Sequence, residues 1–184
     1  MDRLNRAAVI TRLAGNLRKA GSWCGETHIQ KAFYLLQDLL EVPTQFPFIL
    51  YKHGPFSFDL SDELTALRGD ELLVLEPQSP PYGPRYAPTK MSSRLEKACA
   101  GTMETYDEDL QFVAKVIDGR TVGDLERLAT ALYVTKRRES EHDGSVRSRA
   151  ECLNRLKPHV AVEAAAKAVE EIDNLIAQLD EADD

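Results

Sequence analysis

Cysteine is scarce in this chain: Cys24, Cys99 and Cys152 are widely spaced and odd in number among 184 residues. That usage argues against a disulfide framework or a zinc module of close cysteine pairs, and fits reduced thiols in a cytoplasmic setting. No apolar run approaches the ~20 residues of a membrane span. The opening Met1-Asp2-Arg3-Leu4-Asn5-Arg6 lacks the apolar stretch of a signal peptide. A phosphate-cradling glycine-rich loop and an HExxH helix are also missing, so no reaction class is named and no catalytic residue, cofactor or metal is expected. Basic charge is short as well. Thirty Asp and Glu against 23 Lys and Arg leave a net charge of −7, which repels phosphate at long range and disfavours nonspecific nucleic-acid binding.

What is present is an ordinary folded composition, 43% apolar and 29% charged, long enough to bury roughly 70% of the unfolded surface in one domain. The first helix spans 3–20, with Leu4, Ile10, Leu13 and Leu17 on one side and Gly21 as its breaker. Thr27 is a candidate N-cap for a second helix with the stripe Ile29, Phe33, Leu36 and Leu40. Phe46 to Leu50 reads as a buried strand, and Leu60, Leu64 and Leu67 mark a third helix from Ser57 to near Gly69. Glu71 to Glu76 reads as a strand that pairs with Arg85 to Thr89 across a proline-rich excursion. Further helices follow: one through Tyr106 to Ile117, one capped by Thr121 with Asp124, a short one near 146–156 and a last one near 162–179, with a polar loop at Glu139 to Ser145. The predicted class is mainly α (α+β): a winged-helix-like core over 1–90 with a small antiparallel β element, and a helical part over 91–184 packed on it as one structural unit.

The most distinctive stretch is YKHGPFS, Tyr51 to Ser57. Gly54-Pro55 is expected to end the strand, because Pro lacks an N–H for the ladder and Gly tolerates positive φ, and Ser57 to cap the next helix. Tyr51 and Phe56 are expected to pack and hold the turn. Lys31 lies off the apolar stripe and is expected in solvent, with the Tyr34 ring at the core margin and its hydroxyl exposed. The alternative makes Lys31 and Tyr34 a functional set with Tyr51 or His53 beside the Gly-Pro turn. Cys24 with His28 and His53, and Cys152 with His159, are read as connector residues rather than metal or thiol sites. Lys136-Arg137-Arg138 with Arg147 and Arg149, and the arginines of the first helix, are the basic patches; the end from Glu170 to Asp184 is acidic.

HIQKAFYLLQ (His28 to Gln37), FILYKHGPFSFDLSDELTAL (Phe48 to Leu67) and CLNRLKPHV before the last helix resemble, in this order, Panacea-type (SocA-like) antitoxin domains and YwgA-like proteins. Phe56 stands where that signature commonly has Tyr. The resemblance implies a helix-rich domain with a winged-helix-like core that acts by binding proteins, and Lys31, Tyr34, Tyr51, Gly54, Pro55 and Ser57 match its signature. The leading expectation is a non-enzymatic module, an antitoxin, adaptor or regulator of a toxin–antitoxin or phage-defence locus. Its partner would be a toxin, effector or protease component; homo-oligomerisation stays open, and membrane and nucleic acid are not expected partners. Two alternatives remain. One is a winged-helix DNA-binding regulator, weakened by Asp59, Asp62, Glu63 and Asp70 around a single Arg68 on its third helix. The other is a ligand sensor or enzyme with a pocket near Lys31, Tyr34 and Tyr51.

Overall fold

A computed structural model of the chain describes residues 1–80, 82–136 and 142–183. The order is α1 (Arg3–Lys19), α2 (Glu26–Asp38), β1 (Ile49–Tyr51), β2 (Gly54–Phe56), α3 (Phe58–Gly69), β3 (Leu73–Glu76), β4 (Arg85–Pro88), α4 (Lys90–Ala98), α5 (Ala100–Ile117), α6 (Val122–Thr135), α7 (Val146–Leu156) and α8 (Val162–Asp183). The protein is mainly helical, with two small antiparallel hairpins, β1–β2 and β3–β4. Three helices followed by the β3–β4 hairpin reproduce the order of a winged helix. Pro81, Arg137, Arg138, Glu139, Ser140, Glu141 and Asp184 of the proline-rich excursion, the basic run, the polar loop and the acidic end lie outside the described residues.

Helix boundaries follow local chemistry. Asp2 accepts the Asn5 N–H at the start of α1, Ser57 accepts the Leu60 N–H at the start of α3, and Thr121 with Asp124 closes a capping box on α6. Gly25, extended at φ −81 and ψ 174, and not Thr27, is the N-cap of α2, since Glu26 is already helical. The helix also stops at Asp38, so Leu40 lies beyond it. The last helix runs on to Asp183, past the predicted end at 179.

The core is continuous between the two halves of the chain. Helix α1 packs on α4 and α5, α2 on α5 and α6, and α6 on α7, α8 and strand β2. Ile10, Leu13, Leu17, Phe33, Leu36, Leu64, Leu110, Leu128 and Ile172 are all fully buried in one apolar cluster. Such burial contributes about 1.5–3 kcal/mol per large side chain.

The segment 46–57 departs from the sequence reading. Phe46 is buried but precedes any strand, and β1 is exposed at Ile49 and Tyr51. Gly54-Pro55 does not end a strand: it belongs to β2, and Lys52-His53 forms the turn of a hairpin with register Ile49↔Phe56, Leu50↔Pro55 and Tyr51↔Gly54. Proline is tolerated there because alternate residues of an antiparallel pair point their N–H and C=O out of the ladder. The positive φ expected at Gly54 is present, at +83°.

Candidate functional site

Helix α2 supplies the hardware that holds this hairpin. Two glutamines seven residues apart, two helical turns along one face, each grip the backbone of one extended residue. Gln30 accepts the Ser57 N–H and donates to the Ser57 carbonyl, both at 2.9 Å. Gln37 accepts the Phe46 N–H at 2.8 Å and donates to the Phe46 carbonyl at 3.0 Å. Each amide replaces a rung of a β-ladder, so the segment between them is fixed at both ends.

Between these clamps lies Lys31. It is 1% exposed, not solvated as the sequence reading expects, and its Nζ donates to the Pro55 carbonyl at 2.7 Å. Its stem completes the wall against Gly54. A Cβ built there would stand 3.0 Å from Thr130 Oγ1, 3.4 Å from the Glu126 carbonyl and 3.6 Å from Lys31 Cε. The positive φ and the crowding therefore both call for glycine. Burial lowers the Lys31 pKa from its ordinary value to about 8; the Glu126 carboxylate acts to raise it and the Lys157 ammonium to lower it.

Lys157 comes from the start of the α7–α8 connector and reaches the same hairpin. Its Nζ donates to the Tyr51 carbonyl at 2.7 Å and the Lys52 carbonyl at 2.6 Å, and stands 3.3 Å from Glu126 Oε1. Two ammonium protons thus have backbone acceptors, while the contact with Glu126 is an ion pair whose Oε1 accepts no hydrogen bond among the described residues. Glu126, on α6 and 5% exposed, is the counter-charge of the cluster. His53 Nδ1 lies 3.7 Å from its Oε2, and His159 Nε2 lies 3.5 Å from its Oε1. One turn on, Thr130 donates to the Glu126 carbonyl at 2.6 Å and closes the floor under Gly54.

The outer face of the hairpin is aromatic. Tyr51 and Phe58 are each 53% exposed and Ile49 is 49% exposed. Ring centroids lie 5.8 Å apart for Tyr51–Phe56, 5.5 Å for Tyr51–Phe58 and 5.1 Å for Phe56–Phe58. Tyr51 and Phe56 pack as expected, on each other and on Phe58, and they do so at the surface of the hairpin. Asp59 and Asp62 of α3 flank this face, both exposed.

The remaining sequence candidates are dispersed. Tyr34 is 3% exposed, its ring at 5.2 Å and T-shaped to Phe48, with burial pushing its hydroxyl pKa up; the expected exposed hydroxyl is corrected. Lys31 therefore lies beneath the hairpin and Tyr34 against Phe48 just before it, whereas Tyr51 lies on its outer face. Cys24 is fully buried, hydrogen-bonded to the Ala14 carbonyl, and burial raises its thiol pKa to about 12. His28 is buried on α2 with its pKa lowered by burial, while His53 stands at the hairpin tip. Cys152 is buried in the core and His159 is exposed beside Glu126. Among the described residues no group of three His, Cys, Asp or Glu is placed to hold a metal ion, and no helix is long and apolar enough to cross a membrane.

Gln30, Glu126, Thr130 and Lys157 are the site residues that sequence reasoning missed. Lys157 had a signal, standing before Pro158 in a quoted motif; Glu126 had none, being an ordinary acid in an amphipathic helix until the fold encloses it. No protein-family model matches the chain. No curated protein matches it at a significant level.

Proposed function

We propose that this protein is a non-enzymatic protein-binding module that docks a partner through the outer face of the β1–β2 hairpin. The observation that carries this reading is the exposed apolar cluster of Ile49, Tyr51, Phe56 and Phe58 on a hairpin whose carbonyls are held from beneath by Lys31 and Lys157. Aromatic side chains supply large contact area with few rotatable bonds, and a hairpin already fixed in place loses little freedom on binding. The buried charges have a structural task in this arrangement: each is committed to backbone carbonyls or to Glu126. The resemblance to Panacea-type domains points to the same class, with an antitoxin, adaptor or regulator as the role and a toxin, effector or protease component as the partner.

The DNA-binding alternative is weaker on this fold. The arginines of α1 are occupied within the molecule: Arg3 by Glu63 and Asp70, Arg12 by Glu96 and Asp107, Arg18 by Glu76. Arg149 likewise grips Asp173 with two bonds of 2.7 Å. Cations engaged in this way release few counterions from a phosphate backbone.

Partner recovery from the native host with the wild-type chain and with a Tyr51→Ser/Phe58→Ser variant tests the docking reading. Both changes sit on exposed side chains, so the melting temperature should hold. A specific partner should be lost with the variant; an unchanged set of partners from a folded variant overturns the reading.

A further inference from the structure

A cavity of about 730 Å³ opens at the end of α2, between α5 and α8. Its floor is apolar: Leu40, Phe112, Ile176 and Leu179 line it, all of them half-buried and packed against the core on their inner side. Its rim is acidic. Glu41, Glu108 and Asp180 are exposed, and none of the three makes an ion pair or hydrogen bond among the described residues. Among the described residues, Lys136 is the one cation in the lining.

We propose that this groove is a second docking surface, which takes a cationic amphipathic helix of a partner protein. Its shape and charge select that occupant. An amphipathic helix lays apolar residues at i, i+3, i+4 and i+7 into a groove of this kind, leaving its flanks over the rim. Flanks of Lys and Arg meet the three uncommitted carboxylates, whereas acidic flanks meet like charge. The same rim repels phosphate, which disfavours nucleic acid and anionic lipid surfaces. A second copy of this chain, itself at −7, would also bring like charge toward the rim. The groove is distinct from the hairpin face, so either surface can fail without the other.

A labelled synthetic peptide of about 14 residues, with leucines at the helical spacing above and lysines elsewhere, is the probe. Its fluorescence anisotropy is read with the full chain at about 150 mM salt, where long-range attraction between exposed charges is largely screened. Wild type should bind it, and should not bind the same pattern with glutamates in place of lysines. Glu108→Lys with Asp180→Lys should weaken binding at least about tenfold, equivalent to about 1.4 kcal/mol. Both positions are exposed, so folding should survive, as the melting temperature will show. Ile176→Ser should also weaken binding. Asp59→Lys with Asp62→Lys changes the net charge equally and should leave binding intact. Loss with that α3 pair instead would place the peptide at the hairpin and overturn the groove. Equal binding of a lysine peptide with scrambled leucines would show simple ion exchange and overturn it too.

Discussion

Lys31 has its ammonium on the Pro55 carbonyl and almost no contact with water, which makes its protonation part of the folding equilibrium. Its pKa falls from 10.5 unfolded to about 8 folded. Between those values the unfolded chain holds a proton that the folded chain has released, so the Lys31 contribution to stability rises with pH from about 8 to about 10.5. Below pH 8 both states are charged and the burial penalty is present in full. Cys24, with its thiol pKa raised, acts in the opposite direction above pH 9, so the test is the difference between wild type and Lys31→Met. Urea unfolding across pH 7.5–10.5 should show wild type gaining on the variant as pH rises; a flat difference would mean that Lys31 titrates normally. At neutral pH, Lys31→Met should still cost about 1–3 kcal/mol, because the Pro55 carbonyl is left without its donor. Gly54 is the second decisive residue. Its φ of +83° and the 3.0 Å approach of Thr130 Oγ1 predict that Gly54→Ala loses about 1–3 kcal/mol. A melting temperature within error of wild type would show that the turn relaxes freely.

At the scale of elements, the β1–β2 hairpin has only three paired positions, too few to be stable by itself in water. It persists because α2, α6 and the α7–α8 connector hold it by side chains: Gln30 and Lys31, Glu126 and Thr130, Lys157. Lys157→Met leaves two backbone carbonyls and the buried Glu126 with fewer partners, and breaking a buried pair on one side costs about 3–5 kcal/mol. Amide hydrogen exchange should then report faster opening at 49–57 than in α1 or α5. Uniform acceleration across the chain would mean that the hairpin opens only with global unfolding. Helix α6 depends in turn on its N-terminus. Thr121 Oγ1 caps it and the Asp124 carboxylate bonds back to the Thr121 N–H at 3.0 Å, so Thr121→Ala should cost about 1 kcal/mol, measured by denaturant unfolding.

For the whole molecule, the net charge of −7 is arranged so that many cations are satisfied internally while several acids have no ion-pair partner among the described residues. Asp59 and Asp62 beside the hairpin, and Glu41, Glu108 and Asp180 around the groove, are exposed carboxylates. Duplex DNA should therefore bind weakly or not at all near physiological salt. A salt-sensitive, sequence-specific complex with an affinity in the range of about 10⁻⁸ to 10⁻¹¹ M would reverse that expectation.

The sequence by itself determined the helices, the winged-helix order and the apolar stripes, because these depend on neighbours three or four residues away: Ile29, Phe33 and Leu36, or Leu60, Leu64 and Leu67, show their shared face in their spacing. Ser57 and Thr121 as caps, and the positive φ of Gly54, were legible for the same local reason. The hairpin was not. Its two strands are three residues each, and the pairing that places Pro55 inside one of them depends on register rather than composition. Lys31 was misjudged because its acceptor is a backbone carbonyl 24 residues on and its counter-charge lies on α6. Only the packing of α6 and the α7–α8 connector against the hairpin brings Glu126 and Lys157 to it. A charged side chain reads as solvated until the fold supplies, from distant parts of the chain, the partners that let it be buried.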